Sequence, residues 1–203
     1  MPSPVGHALG GLIVALVLAP PPQPHEGHEP NANEGYRGHE IRRLKFRVQH
    51  ALHGLRLPPR WWPVVGWCAV AACLPDLDFA WGRHNMETHS GGFALMLGAA
   101  TLVQQRSARA ALACALAVST HVLFDWLGSD DVAPLGVMAL WPLTSEFFYS
   151  DAWLFGAISR HYWRSDFVSQ NVLAVLRELL ILGPLVAVFW FYRRDKFATV
   201  KYS

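Results

Sequence analysis

Charge is scarce in this 203-residue chain: Asp, Glu, Lys and Arg together make up 16% of it, against roughly 25% in an average soluble domain. The 17 Lys/Arg and 15 Asp/Glu nearly cancel to a net charge of +2, so the basic excess of a nucleic-acid binder is missing and no nucleic-acid partner is expected. Cysteine is limited to Cys68, Cys73 and Cys114, all in apolar runs and without Cys-x-x-Cys spacing. That argues against a thiolate metal site or a disulfide framework, and the three read as small buried hydrophobes. His25-Glu26-Gly27-His28 lacks the four-residue His spacing of a His-Glu-x-x-His helix and lies between Pro20 and Pro30, where an extended linker is expected. No internal repeat is visible.

Apolar residues are what the chain has in quantity: 52% of its length, with 9 Trp and a mean hydropathy of +0.20. They gather in stretches at 5–19, 61–74, 88–105, 111–128 and 171–192. The expected fold is all-α, one membrane-embedded helical bundle over 1–203 with about five transmembrane helices and an interfacial amphipathic helix. The stretch 5–19 is short for a span. A signal segment is the competing reading, against which stand the lack of Lys or Arg before it and of a small-x-small site before Pro20. Residues 21–60 read as a cytosolic linker. Within it Ile41, Leu44, Val48 and Leu55 share one helical face opposite Arg42, Arg43 and Lys45, a pattern suited to an anionic membrane surface. Residues 129–170 mix Pro, Gly, Trp and polar groups and read as an extracytoplasmic or interfacial segment.

Basic residues collect at 37–60, at Arg106 and Arg109, and at Arg193, Arg194 and Lys196. The positive-inside rule then gives a multi-pass inner-membrane topology with the N-terminus outside and the C-terminus inside. Under that topology His7, Asp76, Asp78, His84, His89, His121 and Asp125 all fall toward the outer side. Pro75 is expected to end the helix before it, so that Asp76 and Asp78 share a face of an extended segment. Thr88 is expected to cap the next helix, whose first N–H groups suit an anionic substrate group near Ser90. His121 and Asp125 lie at i and i+4 on one face of an apolar helix, where an unpaired carboxylate is costly. Imidazoles and carboxylates without thiolate suit Zn²⁺, with Mn²⁺ or Fe as alternatives, and seven donors exceed what one four-coordinate ion needs. A binuclear site that activates water for ester or phosphoester hydrolysis is the chemistry this set suggests.

The ordered set Gly6-His7, Leu74-Pro75-Asp76-Leu77-Asp78, His84-x-x-x-Thr88-His89-Ser90, His121-x-x-x-Asp125 and Pro134-Leu135-Gly136…Leu140-Trp141-Pro142 resembles the YdjM-type family, LexA-regulated or inner-membrane-associated metal-dependent hydrolases. The likeness covers about residues 5–145. Asn85 and Met86 stand where that family commonly has Arg and Gly, and Phe79 where it often has His; Arg83 is the candidate to replace the missing substrate contact. The family is in turn similar to zinc phospholipases C and single-strand-specific zinc nucleases. That likeness implies His121, Asp125, Asp78 and His89 as metal ligands, Asp76 as a ligand or as the catalytic base for water, and His7 as an outer ligand. The expected partners are membrane lipids and a lipid-like or envelope substrate. The alternatives are a non-catalytic membrane protein with a structural or transport-related metal or proton site, and an interaction protein acting through its basic helix.

Overall fold

The computed structural model of the chain describes residues 2–18, 62–81, 84–130 and 133–199, with backbone alone at 62, 63, 81 and 194–199. The amphipathic stretch at 40–57 and Arg83 lie outside the described residues. Five α-helices carry the fold: α1 (Pro4–Leu18), α2 (Trp62–Cys73), α3 (Gly91–Gln105), α4 (Ala108–Trp126) and α5 (Phe167–Thr199), with a 3-10 helix, Leu74–Trp81, after α2. No strand forms among the described residues, so the architecture is all-α. Each helix falls on one of the five apolar stretches. Two of them, Ala108–Trp126 and Phe167–Arg193, are long and apolar enough to cross a membrane, with mean hydropathies of 1.3 and 2.2. The other three are shorter than a span of about 17–25 residues.

Local chemistry sets the helix ends. Ser3 and Pro4 open α1 with a capping hydroxyl and a ring already fixed at helical φ, and the Ser3 hydroxyl accepts from Gly6 N at 3.3 Å. The α-helical geometry of α2 stops at Cys73, two residues before Pro75. At the α3–α4 turn Arg106 takes a left-handed conformation (φ 51°), and Ser107 caps α4 by accepting from Ala110 N at 3.2 Å. So short a turn folds α3 and α4 into an antiparallel pair.

Small residues fill the core: Ala15, Ala72, Ala117 and Val118 are fully buried where α1, α2 and α4 meet. At Gly11 the backbones of α1 and α2 approach so closely that a Cβ would run into the Cys68 carbonyl. Small side chains of this kind let helices pack in lipid, where backbone proximity replaces the hydrophobic drive between apolar faces. The outer faces are apolar, with Leu95, Val103 and Leu180 respectively 72%, 80% and 76% exposed.

Two ties fix the relation of α1 to α5. Near the start of α1, Ser3 bonds the Glu178 carboxylate; near its end, the Arg193 guanidinium donates to the Leu16 and Val17 carbonyls. The two helices therefore run parallel. Because α2 and α4 pack on α1 and run back against it, the start of α1, the 3-10 helix, the start of α3 and the end of α4 share one end of the bundle.

The described residues of the segment 127–166 form no helix, and they fold back over that end. Gly91 N donates to Ala139 O at 2.8 Å and Gly92 N to Trp141 O at 3.0 Å. The N-cap of α3 is Ser90, whose hydroxyl accepts from Phe93 N at 3.0 Å, and not Thr88 as the sequence suggested. The expectation that this helix start offers N–H groups to a substrate is therefore corrected, because carbonyls of the returning segment and the cap have taken them. The last helix also runs beyond the expected 171–192 at both ends and continues through Pro184.

Candidate metal centre

The end of α2 supplies the first element of the site. The Ala72 carbonyl would pair with a donor three or four residues on, but Pro75 has no N–H and the α-helix has stopped. The carbonyl instead accepts from His121 Nδ1 at 2.7 Å. A carbonyl can only accept, so the His121 proton is on Nδ1 and the Nε2 lone pair faces the cluster. There Nε2 lies 3.0 Å from Asp125 Oδ2, as the i, i+4 spacing on α4 requires. From α1, His7 stacks on His121 at 3.7 Å between centroids and brings its Nε2 to 3.5 Å from Asp125 Oδ1.

The loop 84–90 supplies the second half. His89 is held between two carboxylates of the 3-10 helix: Nδ1 lies 3.2 Å from Asp78 Oδ2, and Nε2 lies 3.9 Å from Asp76 Oδ1. The segment is helical and not extended as expected, yet both carboxylates reach this imidazole because they approach its two opposite nitrogens. His84 Nδ1 bonds Asp78 Oδ1 at 2.8 Å, and the Thr88 hydroxyl donates to Asp78 Oδ2 at 2.8 Å. Asn85 makes the loop turn with φ 65°, a left-handed conformation that Asn tolerates better than most residues, and its Nδ2 donates to Asp130 Oδ2 at 3.1 Å.

All seven residues expected as ligands thus come together. Their donor atoms form two groups, His7/His121/Asp125 and Asp76/His84/His89, with the atoms of each within 4.8 Å of one another. Asp125 joins the groups, since its Oδ2 is also 3.3 Å from His89 Nε2. Asp76 lies between them as well, with Oδ1 3.8 Å from His121 Nε2. Asp78 is in neither group: both its oxygens are engaged by His84, His89 and Thr88.

Burial sharpens the contrast. His7, His89 and His121 have no exposed surface, and only the Asp76 and His84 side chains, at 16% and 14%, reach solvent. Seven buried ring nitrogens or carboxylate oxygens make no hydrogen bond: both nitrogens of His7, Asp76 Oδ1, His89 Nε2, His121 Nε2, Asp125 Oδ1 and Asp125 Oδ2. Leaving so many polar atoms unsatisfied in one place is costly, and a divalent cation is the partner that fits imidazole and carboxylate donors at once.

The electrostatics agree outside the helices. Burial disfavours charge on His89, but the carboxylates of Asp76, Asp78 and Asp125 outweigh it and push the ring up to about 9. Burial raises Asp78, yet its hydrogen bonds from His84, His89 and Thr88 hold it far below the usual carboxylate range. Asp76 is lowered in the same way, burial being outweighed by His89, His121 and His7. The carboxylates hold positive charge at their centre.

Comparison with family models, curated proteins and solved structures returned no match. The geometry therefore carries the assignment. Of the two residues expected at the substrate, Arg83 is outside the described residues, and Ser90 is fully buried with its hydroxyl donating to Glu87 O at 2.6 Å and capping α3. That capping role leaves it no substrate contact. Three features escaped the sequence reading: the Ala72 carbonyl, the Thr88 bond to Asp78, and Arg160, whose guanidinium lies 4.0 Å over the Phe79 ring. Phe79 in turn stacks on His84 at 3.8 Å. The first two depend on contacts between segments and carry no local signal. Arg160 lies 81 positions from Phe79 in a stretch without periodicity.

Proposed function

We propose that the chain is a multi-span membrane hydrolase of ester or phosphoester bonds, with two divalent cations, Zn²⁺ before Mn²⁺ or Fe, held by His7, Asp76, His84, His89, His121 and Asp125. The observation that carries this reading is the gathering of buried ring nitrogens and carboxylate oxygens without hydrogen bonds into two adjoining groups. The resemblance to YdjM-type membrane hydrolases belongs with the same reading. Support for the bilayer comes from the two span-length helices and from apolar outer faces on the shorter ones, which would otherwise meet water. The basic residues at the opposite helix ends favour a topology with the site toward the extracytoplasmic side of the inner membrane.

The two donor groups suit different tasks. His7, His121 and Asp125 are closed off from solvent, as a structural ion requires, whereas in the second group the Asp76 and His84 side chains reach solvent, as an open position for water requires. A divalent cation there supplies Lewis acidity and hydroxide near neutral pH. Asp76, the exposed carboxylate of the cluster, is placed to take the proton from water. Asp78 keeps His84 and His89 in position. Arg160, on the far side of Phe79 from His84, gives the mouth a positive charge for an anionic substrate group. Exposed Leu77, Phe79 and Trp163, at 59%, 42% and 69%, suit a lipid-like remainder.

The test is turnover of bis(p-nitrophenyl) phosphate and of a neutral p-nitrophenyl acyl ester by the full chain in nanodiscs. Hydrolysis of at least one is expected, lost in chelator and restored by Zn²⁺ or Mn²⁺. Metal-loaded protein that cleaves neither ester would refute it. Arg160→Ala is expected to raise KM for the diester about tenfold, roughly 1.4 kcal/mol, with Arg160→Lys recovering part of it and the neutral ester unaffected.

A further inference from the structure

Glu178 lies within the apolar, span-length stretch of α5 and is fully buried. A carboxylate in such a position is expensive unless it serves a purpose. Its partners are all at the start of α1: Oε1 accepts from Ser3 N, and Oε2 accepts from the Ser3 hydroxyl. That same hydroxyl accepts from Gly6 N, and His7 N donates to Ser3 O at 3.1 Å. Gly6 is the residue that makes room, because a Cβ there would lie 2.9 Å from Glu178 Cδ and Oε2. The carboxylate therefore anchors the first turn of α1, one residue before His7.

The other imidazoles of the cluster each have an orienting partner. The Ala72 carbonyl fixes His121, and Asp78 fixes His84 and His89. His7 has none, since neither of its ring nitrogens makes a hydrogen bond. Its ring can be set only by stacking on His121 and by the placement of its own backbone.

We propose that Glu178 is the positioning residue for His7: through Ser3 it fixes the first turn of α1 and so controls cation binding at the His7/His121/Asp125 group. The inference rests on the metal reading above and extends it to a residue on a helix that contributes no ligand. Losing an outer partner of a metal ligand typically weakens binding about 10–100-fold, and the loss is confined to the ion that the ligand holds.

The experiment is Co²⁺ titration of the chelator-stripped full chain, followed by the visible absorption of the bound ion, with helix content and thermal unfolding recorded alongside. Wild type is expected to bind about two ions. Glu178→Ala is expected to weaken one of them about 10–100-fold and leave the other unchanged, while Glu178→Gln, which keeps an acceptor for Ser3 N–H, stays within a few-fold of wild type. Ser3→Ala is expected to weaken the same ion less, and it provides the test if Glu178→Ala does not fold. Wild-type binding of both ions in Glu178→Ala or, failing that variant, in Ser3→Ala would overturn the proposal. So would equal weakening of both ions with a lowered unfolding temperature, as expected of a merely structural role. Wild type that binds no Co²⁺ would instead remove the metal reading itself.

Discussion

Asp125→Ala is expected to bind no measurable cation and to lose hydrolysis entirely. Asp125 is the one carboxylate within 3.5 Å of three imidazoles from three segments: His7 at 3.5 Å, His121 at 3.0 Å and His89 at 3.3 Å. Removing it takes a ligand from the closed group and the shared anion from the open one. The loss in affinity should exceed the roughly 100-fold upper range for an outer partner, because here the ligand itself is gone. Asp125→Asn should behave similarly, since it keeps the shape and loses the charge. In the cation-free protein the carboxylate faces three imidazoles, among them His89 pushed up to about 9, so its removal is expected to lower the unfolding temperature without abolishing the helices. Titration calorimetry with Zn²⁺, with helix content as the control, checks both statements. Near-wild-type affinity in either variant would count against the site.

Asp78→Ala should produce a smaller and selective loss. Its two oxygens hold His84, His89 and Thr88, and none of them is left to face the cluster. About 10–100-fold weaker binding at Asp76/His84/His89 is expected, with the His7/His121/Asp125 ion retained and hydrolysis falling in step with the lost ion. Thr88→Val, which removes one bond to Asp78, should cost only a few-fold. If Asp78→Ala removed both ions completely, Asp78 would be a ligand after all, as the sequence had suggested.

The helices, and the residues that meet at the cluster, were legible in the sequence for a physical reason. Apolar stretches of this length have few alternatives to helix, and the His121-x-x-x-Asp125 spacing sets two side chains on one face wherever the helix sits. Pro75 likewise marks the end of α2, and the segment after it differs from expectation only in being 3-10 instead of extended. The same five stretches suggested five spans, of which two reach span length in the structure, because the α-helix of α2 stops two residues before Pro75 and α3 is bounded by the Ser90 cap and the left-handed Arg106.

The features that were not legible depend on contacts across the chain. The N–H groups at the start of α3 looked open to a substrate until Ala139 and Trp141, some 48 residues away, proved to occupy them. Thr88 looked like a cap because its spacing allowed it, but the Asp78 carboxylate competes for its hydroxyl. Glu178 did carry a local signal, the one carboxylate within the apolar stretch 167–193, and only its partner at the other end of the chain was hidden.

The central claim is that these imidazoles and carboxylates surround bound cations. Elemental analysis of the full chain, purified without chelator, tests it most directly. About two equivalents of Zn²⁺, Mn²⁺ or Fe per chain are expected, falling to none in Asp125→Ala. Metal-free wild type whose thermal unfolding is the same with added Zn²⁺ as with chelator would contradict the account.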